Sequence, residues 1–258
     1  MKATARVVAE HTNNGTALRV LKGEAPLLPR RTGPSEVHFV GGAAAPLGGD
    51  DLTMEIEVGP GAELTIRTVA ASIALPNRFG DASRLSVSVS VAEGGRLLWL
   101  PEPLIAAARC RHTTVSTVDL DGDAELVWRE ELVCGRHGED PGDVRLITVL
   151  RRDRRPLYRS DVAVGPHARG WDGPAGFGGA RVHATVFRTG ETATTDSTPT
   201  SAVMALAGGG TVATVLGRDL IETRRITDAL VTPPQRTGKA AVTPQGSTAI
   251  DSPLVRRA

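Results

Sequence analysis

Aromatic residues are scarce in this 258-residue sequence, at four Phe, three Trp and one Tyr. The core must therefore be assembled from Val, Leu, Ile and Ala, and sugar-binding clefts built on aromatic platforms are disfavoured. Cysteine is sparse too, with only Cys110 and Cys134, so no disulfide framework is needed. Charge of one sign is missing: 30 Lys and Arg stand against 29 Asp and Glu, with no long like-charged block. Without a basic field, nucleic acid and anionic membrane surfaces are poor partners. Residues 1–10 lack the apolar run of a secretory signal. The longest uncharged stretch, 197–217, is interrupted by Pro199 and Gly208-Gly-Gly210 and does not read as a membrane span. These absences predict a cytoplasmic protein. G-x-S-x-G, P-loop, H-E-x-x-H and C-x-x-C signatures are also missing.

What is present is punctuation and alternation. The 29 Gly and 17 Pro predict many short elements. In Leu52-Thr-Met-Glu-Ile-Glu-Val58 and Leu85-Ser-Val-Ser-Val-Ser-Val91, apolar residues recur at every second position, the signature of half-buried strands. Further strands are predicted over 63–70, 96–100, 111–120, 124–133, 144–151, 158–164 and 180–187. Three segments run strand, tight glycine turn, strand: Val58-Gly-Pro-Gly-Ala-Glu-Leu64, Val91-Ala-Glu-Gly-Gly-Arg-Leu97 and Leu120-Asp-Gly-Asp-Ala-Glu-Leu126. Val164-Gly-Pro-His167 reads as a degenerate fourth. The first three begin 33 and 29 residues apart, which predicts stacked coils of similar length. The expected fold is mainly β: stacked mixed sheets in a β-helix-like body. A β-sandwich whose hairpins share turn chemistry is the simpler alternative.

The last third changes character. Thr198-Pro199 offers an N-cap with proline at the first helical position, and Gly208 a stop, so a short helix is expected over 199–207. A strand follows at 211–216. Asp219-Leu-Ile-Glu222 has capping-box spacing and opens a second short helix to about residue 230. Residues 1–231 then form the β domain, and the proline-rich 232–258 is expected to be a flexible tail.

Candidate ligands are few. Cys110-Arg-His112 sits at i, i+2, on one face of a strand, and Cys134-Gly-Arg-His137 crosses a turn. Brought together they offer two sulfurs and two nitrogens to a borderline metal, but neither spacing is a recognised ligand pattern, and buried structural cysteine is the simpler reading. The acidic pairs are more informative. Glu130-Glu131 lies in an otherwise apolar strand, so one carboxylate must face inward, where it needs a partner, water or a cation. Arg129 and Arg136 are the nearest cations in sequence. Asp50-Asp51 follows Gly48-Gly49, also an ordinary turn composition.

The order of segments carries a resemblance. Pro46-Leu-Gly-Gly-Asp-Asp-Leu52, Pro60-Gly-Ala-Glu-Leu-Thr-Ile-Arg-Thr68, Leu97-Leu-Trp-Leu-Pro-Glu-Pro-Leu-Ile105, Glu130-Glu-Leu-Val-Cys-Gly-Arg136, Arg155-Pro-Leu157 and Pro174-Ala-Gly-Phe-Gly-Gly179 follow one another. The series resembles the UreD (UreH) urease accessory proteins over about residues 36–230. The family's Gln-containing T-T-Q-A strand reads Thr65-Ile-Arg-Thr-Val-Ala-Ala-Ser72 here, and Leu75-Pro-Asn77 replaces its usual Tyr-Arg-Ser. The resemblance implies a non-enzymatic scaffold that binds a UreF-like protein, through it a UreG-like GTPase, and apo-urease. It further implies an internal route for nickel in transit, with no permanently bound cofactor. Carried over by motif, Asp50, Ser72, Glu130 and Asp161 are the expected lining of that passage. Two alternatives remain at this stage: a carbohydrate-active β-helix enzyme using paired carboxylates, and a metal-free β-solenoid that binds a protein partner.

Overall fold

The computed structural model describes residues 1–190 and 195–231; the expected tail lies outside the described residues. The chain opens with two hairpins, β1 (Lys2–Thr12) with β2 (Gly15–Gly23) and β3 (Leu27–Gly33) with β4 (Glu36–Gly41). It then winds in coils. The first contains β5 (Asp51–Val58), β6 (Glu63–Thr68) and the short β7 (Ser72–Ala74). The second repeats the plan with β8 (Ser83–Val91), β9 (Arg96–Leu100) and β10 (Leu104–Ala106). The third has β11 (Arg111–Leu120) and β12 (Glu125–Val133), and β13 (Asp143–Arg152) begins a fourth that turns back as β14 (Arg155–Val164). The chain ends with β15 (Val182–Arg188), β16 (Asp196–Ser197), β17 (Ser201–Ala205), β18 (Thr211–Gly217) and the helix α1 (Leu220–Val231).

Strands alternate between two sheets. The first runs β14-β13-β11-β8-β5-β1-β2, and the second runs β16-β17-β18-β15-β12-β9-β6-β4-β3, with β7 and β10 paired at its side. Along each coil stack pairing is parallel, with Asp51 opposite Arg84, Arg84 opposite Thr113 and Thr113 opposite Arg145. These partners lie 33, 29 and 32 residues apart, the coil length anticipated from the turns. The three turns are alike in chemistry. Each closes with an i to i+3 hydrogen bond, Ala62 N to Gly59 O, Gly95 N to Ala92 O and Ala124 N to Asp121 O. Each also places one glycine at positive φ: Gly61, Gly94 and Gly122. Adjacent turns are tied together, since Asp123 accepts from Gly94 N (2.6 Å) and Asp153 from Gly122 N (2.9 Å).

The fourth turn differs from the expected position. It falls at Asp153-Arg154, both at positive φ, and joins β13 to an antiparallel β14, so the 164–167 segment is not a coil turn. The helix expected over 199–207 is also absent: that stretch holds β17, paired antiparallel with β18. Thr198 uses its hydroxyl to accept from Thr200 N and Ser201 N in a turn, and Gly209 and Gly210 at positive φ close the β17–β18 hairpin. A free strand edge on β18 outweighs a local capping signal. The second helix forms as expected, with Glu222 N donating to Asp219 Oδ1 at 2.8 Å.

The inner faces of the sheets enclose two hydrocarbon clusters. The larger lies toward the coil turns and holds Val7, Ile56, Leu64, Leu97, Leu120, Leu126 and Trp128; the smaller holds Ala74, Ala106, Leu132, Val144 and Leu146. Trp99 stacks on Trp128 with ring centroids 4.8 Å apart and planes 10° apart. On its outer face the second sheet buries Glu131 beneath α1. Arg224 grips that carboxylate with Nε and Nη2 (3.0 and 2.6 Å), and it also reaches Glu102 (3.0 Å). Arg129 lies 3.8 Å from Glu131 and 3.5 Å from Asp228.

Two outcomes follow from this packing. Trp99→Ala removes a buried, stacked ring and should lower stability by about 3–5 kcal/mol, read from the denaturant midpoint; an unchanged midpoint contradicts the packing. Arg224→Ala leaves Glu131 with its weaker partner alone, so amide exchange should accelerate through α1 while β5, β8 and β11 stay protected. Equal protection of α1 in the variant contradicts the latch.

Candidate functional site

The two hydrocarbon clusters are separated by polar side chains. On β11 the inward residues change along the strand from Leu120 and Val118 to Ser116, Thr114 and His112. Ser116 pairs with Thr148 on β13, and Thr148 with Ser160 on β14, so three hydroxyls lie side by side on the first sheet. Opposite them, on the second sheet, Glu130 of β12 pairs with Thr185 of β15. Across the gap Thr148 donates to both carboxylate oxygens of Glu130 (2.8 and 2.7 Å), and Ser116 donates to Oε1 at 3.4 Å. The result is a polar seam crossing the inter-sheet space.

Among the described residues Glu130 has no cation within ion-pair distance. Burial raises its pKa above the ordinary carboxylate range, and the Thr148, Trp128 and Ser116 donors oppose that rise. The Trp128 indole N–H eases the charge from nearby without finding an acceptor at hydrogen-bond geometry. The neighbouring Tyr158 phenol is raised as well, by burial first and the Glu130 charge in addition. Alternation therefore separates the two glutamates as expected, but Arg129 and Arg136 are not partners of Glu130: Arg129 lies with Glu131 under α1 and Arg136 pairs with Glu139 at 2.7 Å.

The seam continues toward the start of the first sheet. His112 is buried, with Nδ1 2.9 Å from Ser83 Oγ and Nε2 2.9 Å from Thr114 Oγ1. Burial lowers its pKa to about 4 against the opposing pull of Asp50, so the ring is neutral at neutral pH. Asp50 is itself buried, bound by the Met1 amino group (2.6 Å) and by Leu47 N (2.8 Å). An open cleft of about 430 Å³ enters between the sheets here, lined mostly by apolar side chains such as Leu27, Phe39, Met54 and Leu85. Ser72 and His112 also line it. From His112 to Ser116 along an extended strand is about 13 Å.

The four expected residues fall in different places. Ser72 lines the cleft, Asp50 lies beside His112, and Glu130 lies in the seam. Asp161 lies elsewhere. It is on the outer face of the first sheet, exposed and held by Arg145 through two hydrogen bonds of 2.7 and 2.6 Å. Reasoning from the sequence did not single out Ser116 and Thr148; only the mid-strand switch from apolar to hydroxyl residues could have marked them.

The two Cys/His pairs do not assemble. Burial, with Asp143 and Glu139 adding to it, pushes the Cys110 thiol up to about 11. Burial pushes Cys134 to about 12 against Arg181. Both are protonated and packed in the smaller cluster, and among the described residues no three His, Cys, Asp or Glu groups converge to hold a metal ion. A static cage of that kind is not what these residues build. The Ser83–His112 contact is not a nucleophile–base pair in the usual arrangement either, because the second ring nitrogen meets a threonine hydroxyl instead of a carboxylate. What the seam offers is a row of oxygen donors, one neutral imidazole and one desolvated carboxylate.

The sequence is similar to known proteins over most of its length. The family model described as UreD urease accessory protein matches residues 1–247. A urease accessory protein UreD of Parafrankia sp. (strain EAN1pec) is 37% identical, covering 89% of this chain and 88% of its own length. That of Streptomyces coelicolor is 38% identical over 88% of this chain and 94% of its own length. That of Streptomyces avermitilis reaches 44% over 70% and 74%. This chain belongs to the UreD family of urease accessory proteins, and its role lies in urease maturation.

Proposed function

We propose that the chain is a non-enzymatic scaffold that binds UreF-like and UreG-like accessory proteins and passes nickel to apo-urease through the inter-sheet seam. The observation that carries this reading is Glu130: an ionisable group set between two hydrocarbon clusters, with hydroxyl donors but, among the described residues, no cation at ion-pair distance. A carboxylate in that position is costly unless hydrated or visited by a cation. The cleft lined by Ser72 and His112 supplies an entry, Asp50 a charge near it, and Thr114 and Ser116 the intervening oxygens.

Nickel is cargo here, and the donor set suits cargo. Oxygen ligands with one imidazole bind a divalent ion more weakly than thiolates, so an ion is released as readily as it is taken up. The protonated thiols stay out of the path. Asp161, committed to Arg145 on the far face, is left outside it. Two free, buried cysteines suit a cytoplasmic location. Among the described residues no helix is long and apolar enough to cross a membrane.

The decisive variant is Glu130→Gln, which keeps an acceptor for Thr148 and removes the charge. With urease maturation measured at limiting nickel, it should slow activation by about tenfold, the loss of one charged contact worth about 1.5–3 kcal/mol. Asp50→Asn should act in the same direction, and activation at the wild-type rate by either variant removes that residue from the path. The raised Glu130 pKa also predicts a sign. The folded protein holds this proton more tightly than the unfolded chain, so stability falls as pH rises from the ordinary carboxylate range through the raised value. Glu130→Gln should therefore gain stability relative to the wild type as pH rises across that window. A constant difference from pH 4 upward contradicts a desolvated carboxylate.

A further inference from the structure

In a chain with four Phe residues, one is spent on the surface. Phe79 is 71% exposed, the most exposed large hydrophobic residue among those described. It does not sit on a loose loop. Asn77 Oδ1 accepts from Phe79 N (3.1 Å) and Asp81 N (3.0 Å), while its Nδ2 donates to Gly48 O (3.0 Å) and Asp81 Oδ2 (2.9 Å). Arg111 donates to Gly80 O at 3.3 Å, and Gly80 takes the positive φ that the turn requires. Arg78 lies over the phenyl ring, 4.5 Å from its centroid. The ring is thus held out into solvent by a pinned loop, with its ordering cost met before any partner arrives.

The surroundings are rich in arginine, with Asp81 in the loop and Asp51 and Asp143 opposite Arg84 and Arg111 in the sheet as the nearby carboxylates. Arg78, Arg84, Arg109 and Arg111 are all exposed, at the loop itself and at the starts of β8 and β11. Among the described residues none of the four has a carboxylate at ion-pair distance. Elsewhere on the same sheet Arg6 pairs with Glu57, Arg145 with Asp161 and Arg151 with Asp119, while Arg155 and Arg159 of β14 are exposed and, among the described residues, likewise outside ion pairs. A fixed aromatic among exposed arginines that stand outside ion pairs has the composition of an interface hot spot.

We infer that the Phe79 loop is a protein-docking surface whose partner presents an apolar pocket ringed by carboxylates. A phenyl group without hydrogen-bonding capacity asks for an apolar pocket, and four unpaired guanidiniums ask for acidic residues around it. Single-stranded nucleic acid fits less well, because it stacks on successive aromatics and this surface has one. The inference rests on the reading that the chain assembles with other urease maturation proteins.

The test measures affinity of the full chain for a UreF-like partner, a UreG-like partner and apo-urease, comparing wild type with Phe79→Ala and Arg78→Glu. Both variants should melt as the wild type does. Phe79→Ala should weaken one of the three associations by about tenfold or more. Arg78→Glu should weaken the same one and flatten its salt dependence. If the wild type associates and Phe79→Ala matches it for all three, the docking surface is refuted and the assembly reading stands. If the wild type associates with none, the assembly reading itself fails and takes this inference with it. Weakening by Phe79→Ala without any Arg78→Glu effect refutes the acidic ring. Phe79-dependent binding to oligouridylate or to phosphatidylserine vesicles, with the three proteins unaffected, overturns the choice of a protein partner.

Discussion

A carboxylate placed where hydrocarbon would be more stable sets the terms for this molecule. Two packed sheets exclude water along most of their contact, and the part-buried carboxyl between them carries a desolvation penalty on its charged form that three nearby donors only partly offset. A protein selected for stability alone would fill that gap with leucine. Here Ser116, Thr148 and Ser160 on one sheet and Glu130 and Thr185 on the other form a continuous band instead. Stability is supplied on either side of it, by the large cluster at the coil turns and the smaller one beyond.

The coil geometry makes the band continuous. Parallel stacking in register puts residues of successive coils side by side at one depth, so like side chains line up across strands. Ser116 beside Thr148 and His112 beside Ser83 are products of that register. The tied turns hold it, because Asp123 and Asp153 cap the glycine N–H groups of the turns before them and the Glu93 carbonyl accepts from Gly61 N in the first. A slip of one residue would turn Glu130 to the α1 side and bring Glu131 inward. The latch from Arg224 to Glu131 opposes that slip from the other face, giving each of the two adjacent glutamates a distinct environment.

Much of this was legible in the amino-acid order, and the exceptions have physical causes. Alternation located β5 and β8 nearly to the residue, since each has one wet or polar face, and the further strands expected at β9, β11 and β12 also fall within a residue of their observed bounds. Turn spacing gave the coil repeat. Residues 199–207 misled because Thr198-Pro199 satisfies a capping rule locally, whereas the unpaired edge of β18 is a long-range fact. The same limit governs the site. Period two required one of Glu130 and Glu131 to face inward, but sequence could not show which one, nor that Thr148, eighteen residues on, would reach it. The motif resemblance brought forward Ser72, which lines the cleft, Asp50, which lies near His112, Glu130, which faces the inter-sheet space, and Asp161, which lies on the opposite face of its strand from Ser160 and Tyr158.

The proposal that an ion is handed on and not kept draws on family membership, a seam of weak donors and protonated thiols. The most direct measurement places nickel relative to the seam. In the assembled accessory complex with methyl-labelled threonine, adding nickel should shift and broaden the Thr114, Thr148 and Thr185 methyl signals, which face the inter-sheet space. Thr113 and Thr117, on the outer face of β11, should be unaffected. Perturbation confined to outer-face threonines, or none at all while urease is being activated, would contradict passage between the sheets.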